Sequence, residues 1–123
     1  MARVRQQDTA PELAIRRMLH AHGLRYTLHA RGLPGRPDIV LPKRHSVVFV
    51  HGCFWHGHDC AHGSVAAKSN TEFWTAKIAA NRERDRRQAN ALRSAGWHVE
   101  IVWECEAAQR RIIGRLAARL LER

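Results

Sequence analysis

The stretch Pro37-Asp38-Ile39-Val40-Leu41-Pro42-Lys43-Arg44-His45-Ser46-Val47-Val48-Phe49-Val50 decides the architecture. Two short apolar runs rich in β-branched residues, Asp38 to Leu41 and Ser46 to Val50, flank a polar segment that opens with proline, the pattern of two strands joined as a hairpin. Upstream, Gly32, Pro34, Gly35 and Pro37 impose a loop, and Leu24 to Leu28 reads as a further strand. Before that, Thr9-Ala10-Pro11-Glu12 is a capping box with proline in the first turn. Leu13, Ala14, Met18, Leu19 and Ala21 follow at near-helical spacing, and Gly23 ends the helix.

Downstream, Ser69-Asn70-Thr71-Glu72 repeats the capping-box pattern and starts a long helix that runs to about Ala95, with Gly96 as its stop. Trp97 to Trp103 is the last strand, with Val99, Ile101 and Trp103 on one face and His98, Glu100 and Val102 on the other. A closing helix from about Ala107 to Leu121 carries Ile112, Ile113, Leu116, Leu120 and Leu121 on one stripe. A strand, a long helix and a strand form a crossover unit, so the strands at 46–50 and 97–103 are expected to be parallel. The sheet is then mixed, with helices on its faces. Sites in such sheets gather at strand ends, which draws Asp38, His51 and Cys105 towards one region.

The chain has 123 residues, enough for one domain over 1–123 with a single core. Its formal net charge of +10 and isoelectric point near 11.2 point to a polyanionic partner, with nucleic acid the first choice. No apolar run reaches the roughly 18 residues of a membrane span, and the amino terminus lacks a signal-peptide core, so a cytoplasmic location is expected.

The three cysteines, Cys53, Cys60 and Cys105, are an odd number, which favours metal ligation over a disulfide framework. Directly after the second hairpin strand comes His51-Gly52-Cys53-Phe54-Trp55-His56-Gly57-His58-Asp59-Cys60. Soft ligands at such close spacing suit a tetrahedral zinc site formed by Cys53, His58, Cys60 and Cys105, with His56 and His62 as other choices for the fourth ligand. Four protein ligands leave no open position, so this zinc would be structural. Phe54-Trp55, beside a turn glycine, would stand exposed without a partner to cover them.

The chemistry must then lie elsewhere. In nucleases of the PD-(D/E)XK type, a carboxylate at one strand's start meets an E-x-K on its hairpin partner to bind magnesium and poise water. Here Asp38 supplies the first carboxylate, but the partner strand offers Phe49-Val50-His51 in place of the second carboxylate and lysine. A histidine suits proton transfer near neutral pH, so Asp38 with His51 and His56 in reach forms a candidate hydrolytic group.

A specific resemblance covers nearly the whole chain. Leu33-Pro34-Gly35-Arg36-Pro37-Asp38, His51-Gly52-Cys53-Phe54-Trp55-His56, Thr71-Glu72-Phe73-Trp74, Glu83-Arg84-Asp85-Arg86-Arg87, Gly96-Trp97 and Val102-Trp103-Glu104-Cys105 occur in this order. Together they resemble the very short patch repair (Vsr) DNA mismatch endonucleases. The resemblance implies a restriction-endonuclease-like fold with one structural zinc, and a magnesium-dependent enzyme that nicks one strand of double-stranded DNA beside a T:G mismatch; a monomer is expected. It implies Asp38 as the magnesium-binding carboxylate, His51 and His56 as assistants to the water and phosphate, and a contribution from Glu12 on the first helix. It places Cys53, His58, Cys60 and Cys105 at the zinc positions, and Phe54, Trp55 and Trp74 among aromatics that wedge into DNA.

Two departures from the family pattern stand out. Val50 occupies a position that is often threonine, and the amino-terminal arm is expected to be reduced to Met1 to Gln7. Grip and mismatch preference are therefore expected to depart from the family more than nicking does. A less selective nicking or defence endonuclease would retain Asp38, His51 and His56. A zinc-stabilised DNA-binding protein without catalysis need not.

Taken alone, several of these residues have plainer readings. Glu12 suits its capping box, Trp74, Trp97 and Trp103 suit a core, and Arg82 to Arg87 suit a solvated helix face or one that tracks phosphates. Asp85 reads as an ion-pair partner or a support for a catalytic histidine.

Overall fold

The computed structural model describes residues 9–28, 32–53 and 71–122. Helix α1, Ala10–Ala21, starts where the sequence places it: the Thr9 side chain accepts the Glu12 N–H, and proline occupies the first turn. Leu24 is buried, yet the strand expected from it begins only at Thr27, giving a short β1 of Thr27–Leu28. The reason lies in the helix end. The Leu24 N–H donates to the Leu19 carbonyl at 3.1 Å, closing α1, and so is withdrawn from any sheet ladder.

The hairpin forms as its pattern requires. Strands β2, Ile39–Leu41, and β3, Ser46–His51, pair antiparallel with Leu41 opposite Ser46, through a turn of 3-10 helix at Pro42–Arg44. His45 takes a left-handed conformation in that turn, and its ring stacks on Trp97 at 4.1 Å. Arg44 donates to the Leu120 and Leu121 carbonyls, tying the hairpin turn to the end of the last helix.

Helix α2 spans Thr71–Ser94 and stops at Gly96, whose φ of +93° is readily available only to glycine. Strand β4, His98–Trp103, then pairs parallel with β3, Ser46 opposite His98 and His51 opposite Trp103. Helix α3, Arg110–Leu121, begins three residues later than the sequence pattern suggests. Glu104–Glu106 forms a separate 3-10 turn first, and the Gln109 N–H closes onto the Glu106 carbonyl at 2.9 Å.

The four-stranded mixed sheet has the order β1-β2-β3-β4 and is covered on both faces. On one face Ile39, Leu41, Val48 and Val102 pack with Ile15 and Leu19 of α1 and with Ile113, Leu116, Ala117 and Leu120 of α3. On the other, Val40, Val47, Phe49 and Val99 pack against Ala89 and Leu92 of α2. Strand alternation assigns the faces, so two-sided burial turns β2 and β3 into continuous apolar runs. A Leu→Ala change in either layer is expected to cost about 2–5 kcal/mol. Gly35 lets the loop before β2 lie close to α2, because a Cβ there would come within 2.8 Å of the Gln88 Oε1.

One polar tether crosses the α3 layer. Arg119 forks onto Glu100, Nε to Oε2 and Nη2 to Oε1, both at 3.0 Å, while His98 Nε2 lies 2.6 Å from Oε2. Among the described residues no helix is long and apolar enough to cross a membrane.

Candidate active site at the strand ends

The start of β2 and the end of β3 lie side by side because the pair is antiparallel, with Ile39 opposite Val48. Asp38, just before β2, therefore reaches the backbone beyond the ladder: its Oδ2 accepts the Val50 N–H at 2.6 Å. His51 closes β3 and is buried. Its imidazole stands edge-on to the Trp103 indole at 5.3 Å and tilted against Phe49 at 5.7 Å. Alternation from Val40 and Phe49 carries Asp38 and His51 to the α2 face of the sheet. The two residues singled out in sequence thus lie at the same end of the β2–β3 pair, on one face of the sheet.

The same end holds two cysteines. Cys53, fully buried, lies two residues beyond His51, and Cys105, in the 3-10 turn, lies two residues beyond Trp103, the register partner of His51. A second carboxylate joins them, for Glu104 Oε1 accepts the Cys53 N–H at 3.0 Å. That contact is not legible in the sequence beyond the adjacency of Glu104 to Cys105. Phe54, Trp55, His56, His58 and Cys60 lie outside the described residues. Among the described residues no group of three or more His, Cys, Asp or Glu could hold a metal.

Glu12 and Trp74 lie on the helices, α1 and α2. Glu12 is 1% exposed, on the α1 stripe with Ile15 and Leu19, and forms an ion pair with Arg16 one turn later. A carboxylate so buried needs such a partner, a demand that a helix cap does not impose. Trp74, partly buried near the start of α2, meets the ring of Phe73 edge-on at 5.0 Å, and Phe73 is exposed. Further along α2, Asp85 is largely covered and bonds Arg84 at 3.2 Å, whereas Arg82, Arg84, Arg86 and Arg87 are exposed. That solvated basic face suits a polyanion.

The family model described as DNA mismatch endonuclease Vsr matches residues 1–62. A type II nicking enzyme of Xanthomonas oryzae pv. oryzae is 51% identical over 120 residues, covering 98% of this chain and 85% of that protein. The DNA mismatch endonuclease Vsr of Escherichia coli is 46% identical over 105 residues, covering 85% of this chain and 67% of that protein. A type II nicking enzyme of Neisseria meningitidis is 42% identical over 121 residues, covering 98% and 86%.

The chain belongs to the Vsr DNA mismatch endonuclease family. It is a Vsr-family DNA endonuclease, and the four-stranded mixed sheet flanked by helices is consistent with a Vsr nuclease fold. In this Vsr-family chain, Asp38 and His51 occupy neighbouring strand ends and share one hydrogen-bonded piece of backbone.

Proposed function

We propose that this endonuclease hydrolyses one strand of duplex DNA at or next to a T:G mismatch, as a cytoplasmic monomer on a restriction-endonuclease-like scaffold. Magnesium is the catalytic ion and zinc the structural one. The observation that carries the reading is the placement of Asp38 and His51 at neighbouring strand ends, with Asp38 bonded to the Val50 amide.

The donor set fits both ions. Asp38 offers a hard carboxylate oxygen, the ligand type magnesium takes, and bound magnesium would offset the negative charge that builds on the phosphate during attack. Cys53 and Cys105 leave parallel, in-register strands at equal offsets, so two soft ligands come off the same end of the sheet. His58 and Cys60 complete a closed four-ligand set in this reading, which serves to hold the loop rather than to react.

The chain's own groups then divide the work. His51 and His56 accept a proton from the attacking water and orient it towards phosphorus. The new P–O bond forms as the bond to the 3′ oxygen breaks, and the leaving oxygen takes a proton from solvent water, giving a 5′-phosphate and a 3′-hydroxyl. Burial of His51 between Phe49 and Trp103 restricts its ring, so little orientation is lost during the reaction. Glu12 contributes from the α1 layer. Phe54, Trp55 and Trp74 wedge into the duplex, where a mismatched pair is cheaper to unstack than a matched one.

A second reading, a nickase with little mismatch preference, is favoured by relatives that are named as type II nicking enzymes. End-labelled duplexes carrying T:G, each other mismatch or none, incubated with magnesium or with chelator, separate the two. Magnesium-dependent nicking confined to T:G supports the main reading. Equal nicking of matched DNA selects the second, and no nicking of any duplex overturns both.

A further inference from the structure

Two carboxylates grip the backbone on either side of His51. Asp38 Oδ2 takes the Val50 N–H at 2.6 Å, and Glu104 Oε1 takes the Cys53 N–H at 3.0 Å. They come from opposite neighbours of β3, the start of β2 and the turn after β4. Only His51 and Gly52 lie between the two gripped amides.

The second grip matters because the ladder ends at His51, paired to Trp103. Beyond that pair the sheet no longer fixes the chain, and the next residue is Gly52, the most permissive backbone of all. Glu104 supplies a restraint where regular pairing stops. It projects from a stiff base. The Trp103 N–H is held by Glu106 Oε1 at 3.0 Å, the Cys105 carbonyl accepts from Gln109 Nε2 at 3.0 Å, and the Gln109 N–H closes onto Glu106.

Glu104 is itself exposed, so burial of its side chain does not explain it. An exposed carboxylate at the edge of a site for a polyanion would repel its substrate, and engaging it with an amide dipole reduces that penalty.

We propose that Glu104 is a positioning residue for hydrolysis. Through the Cys53 amide it sets the direction in which the chain leaves β3, and so adds a backbone restraint just past His51 to the ring contacts of Phe49 and Trp103 that place the imidazole relative to the Asp38 carboxylate. The inference rests on the hydrolytic roles proposed above for Asp38 and His51. Misplacement of reacting groups by an ångström is enough to lower turnover by up to about a hundredfold, so even a partial release of this grip is measurable.

The test compares Glu104→Ala with Glu104→Gln in the full, zinc-loaded chain. Gln keeps an acceptor oxygen at the same reach, whereas Ala removes it. Single-turnover and steady-state nicking of a T:G duplex should show kcat down about tenfold in Glu104→Ala with KM within about twofold of the parent, and most of that loss recovered in Glu104→Gln. Amide hydrogen exchange at Cys53, read without any substrate, should accelerate in Glu104→Ala and stay slow in Glu104→Gln. Unchanged exchange in Glu104→Ala, unchanged kcat, a loss confined to KM, or equal losses in both variants would each overturn the proposal. If the parent protein nicks no duplex while Cys53 exchange still responds to Glu104→Ala, the grip exists and the hydrolytic reading is what fails.

Discussion

Asp38 and Val50 are joined across the hairpin by a 2.6 Å hydrogen bond from the Val50 amide to the Asp38 carboxylate, twelve residues away in sequence. The carboxylate proposed to hold the catalytic ion is thereby fixed to the residue that precedes His51. Charge and geometry at Asp38 are separable by mutation. Asp38→Asn retains an acceptor for the amide but loses the negative charge, and is expected to lower nicking at least about a hundredfold with little change in melting temperature. Asp38→Ala loses both, and should also cost roughly 1–3 kcal/mol of stability in a denaturant titration. DNA binding measured by anisotropy should persist in both variants. Retained nicking by Asp38→Asn would remove this residue from the mechanism.

Zinc at one atom per chain is expected, with Cys53 and Cys105 among its ligands. Cys105→Ser should lower both the zinc content and the melting temperature, because a ligand set shared between a loop and a distant strand end couples metal binding to folding. Elemental analysis of the parent and variant checks this. Full zinc content in Cys105→Ser would show that the ligand set is different.

Stability should depend on acid through Glu100. Burial alone would raise its carboxyl pKa, but the hydrogen bonds from Arg119 and His98, with their charges, outweigh it and hold the pKa below the ordinary 4.5. A carboxylate with a lowered folded-state pKa stabilises fully above its unfolded value, and that stabilisation disappears as pH falls through the folded value. Glu100→Gln should therefore be less stable than the parent at neutral pH by about 1 kcal/mol, since Arg119 is half exposed and screened by solvent. The difference should shrink as pH drops below 4.5. Chemical denaturation across an acid series gives the comparison, and a gap that widens in acid contradicts it.

Trp55→Ala should weaken binding to a T:G duplex about tenfold, given that stacking a base on an aromatic is worth about 1–3 kcal/mol. The loss on matched DNA should be smaller, because opening an intact stack costs more. Titrations of both duplexes decide this, with zinc content as the control for folding. Equal losses would show that Trp55 does not read the mismatch and would favour the unselective nickase.

Most of the architecture was legible because it rests on local patterns. The hairpin at 38–50, the long helix ending at Gly96 and the parallel pairing of β3 with β4 follow from apolar runs, caps and the length of the connection. The differences arise where one backbone group is claimed by a neighbour. Leu24 has the composition of a strand residue, but its N–H closes α1, and the residues from Glu104 to Glu106 form their own turn before α3 starts. At the site, the placement of Asp38 and His51 at neighbouring strand ends followed from the antiparallel hairpin. The Glu104 grip on Cys53 did not, because it joins residues 51 positions apart and depends on a side-chain direction that no periodicity encodes. Glu12 shows the opposite case: the cap was readable, while its near-complete burial beside Arg16 required the packed α1 layer.

The parallel register of β3 and β4 pairs residues about fifty positions apart in the chain, Ser46 with His98 and His51 with Trp103. During synthesis, the strand that carries His51 can acquire its first neighbour, β2, almost at once. Its other edge must wait until α2 and β4 have emerged from the ribosome. Such non-local closure is slow relative to local pairing, and the waiting edge is one to which a second nascent chain could add. The sheet around His51 is therefore completed only once β4 has been made, well after Asp38 and His51 themselves.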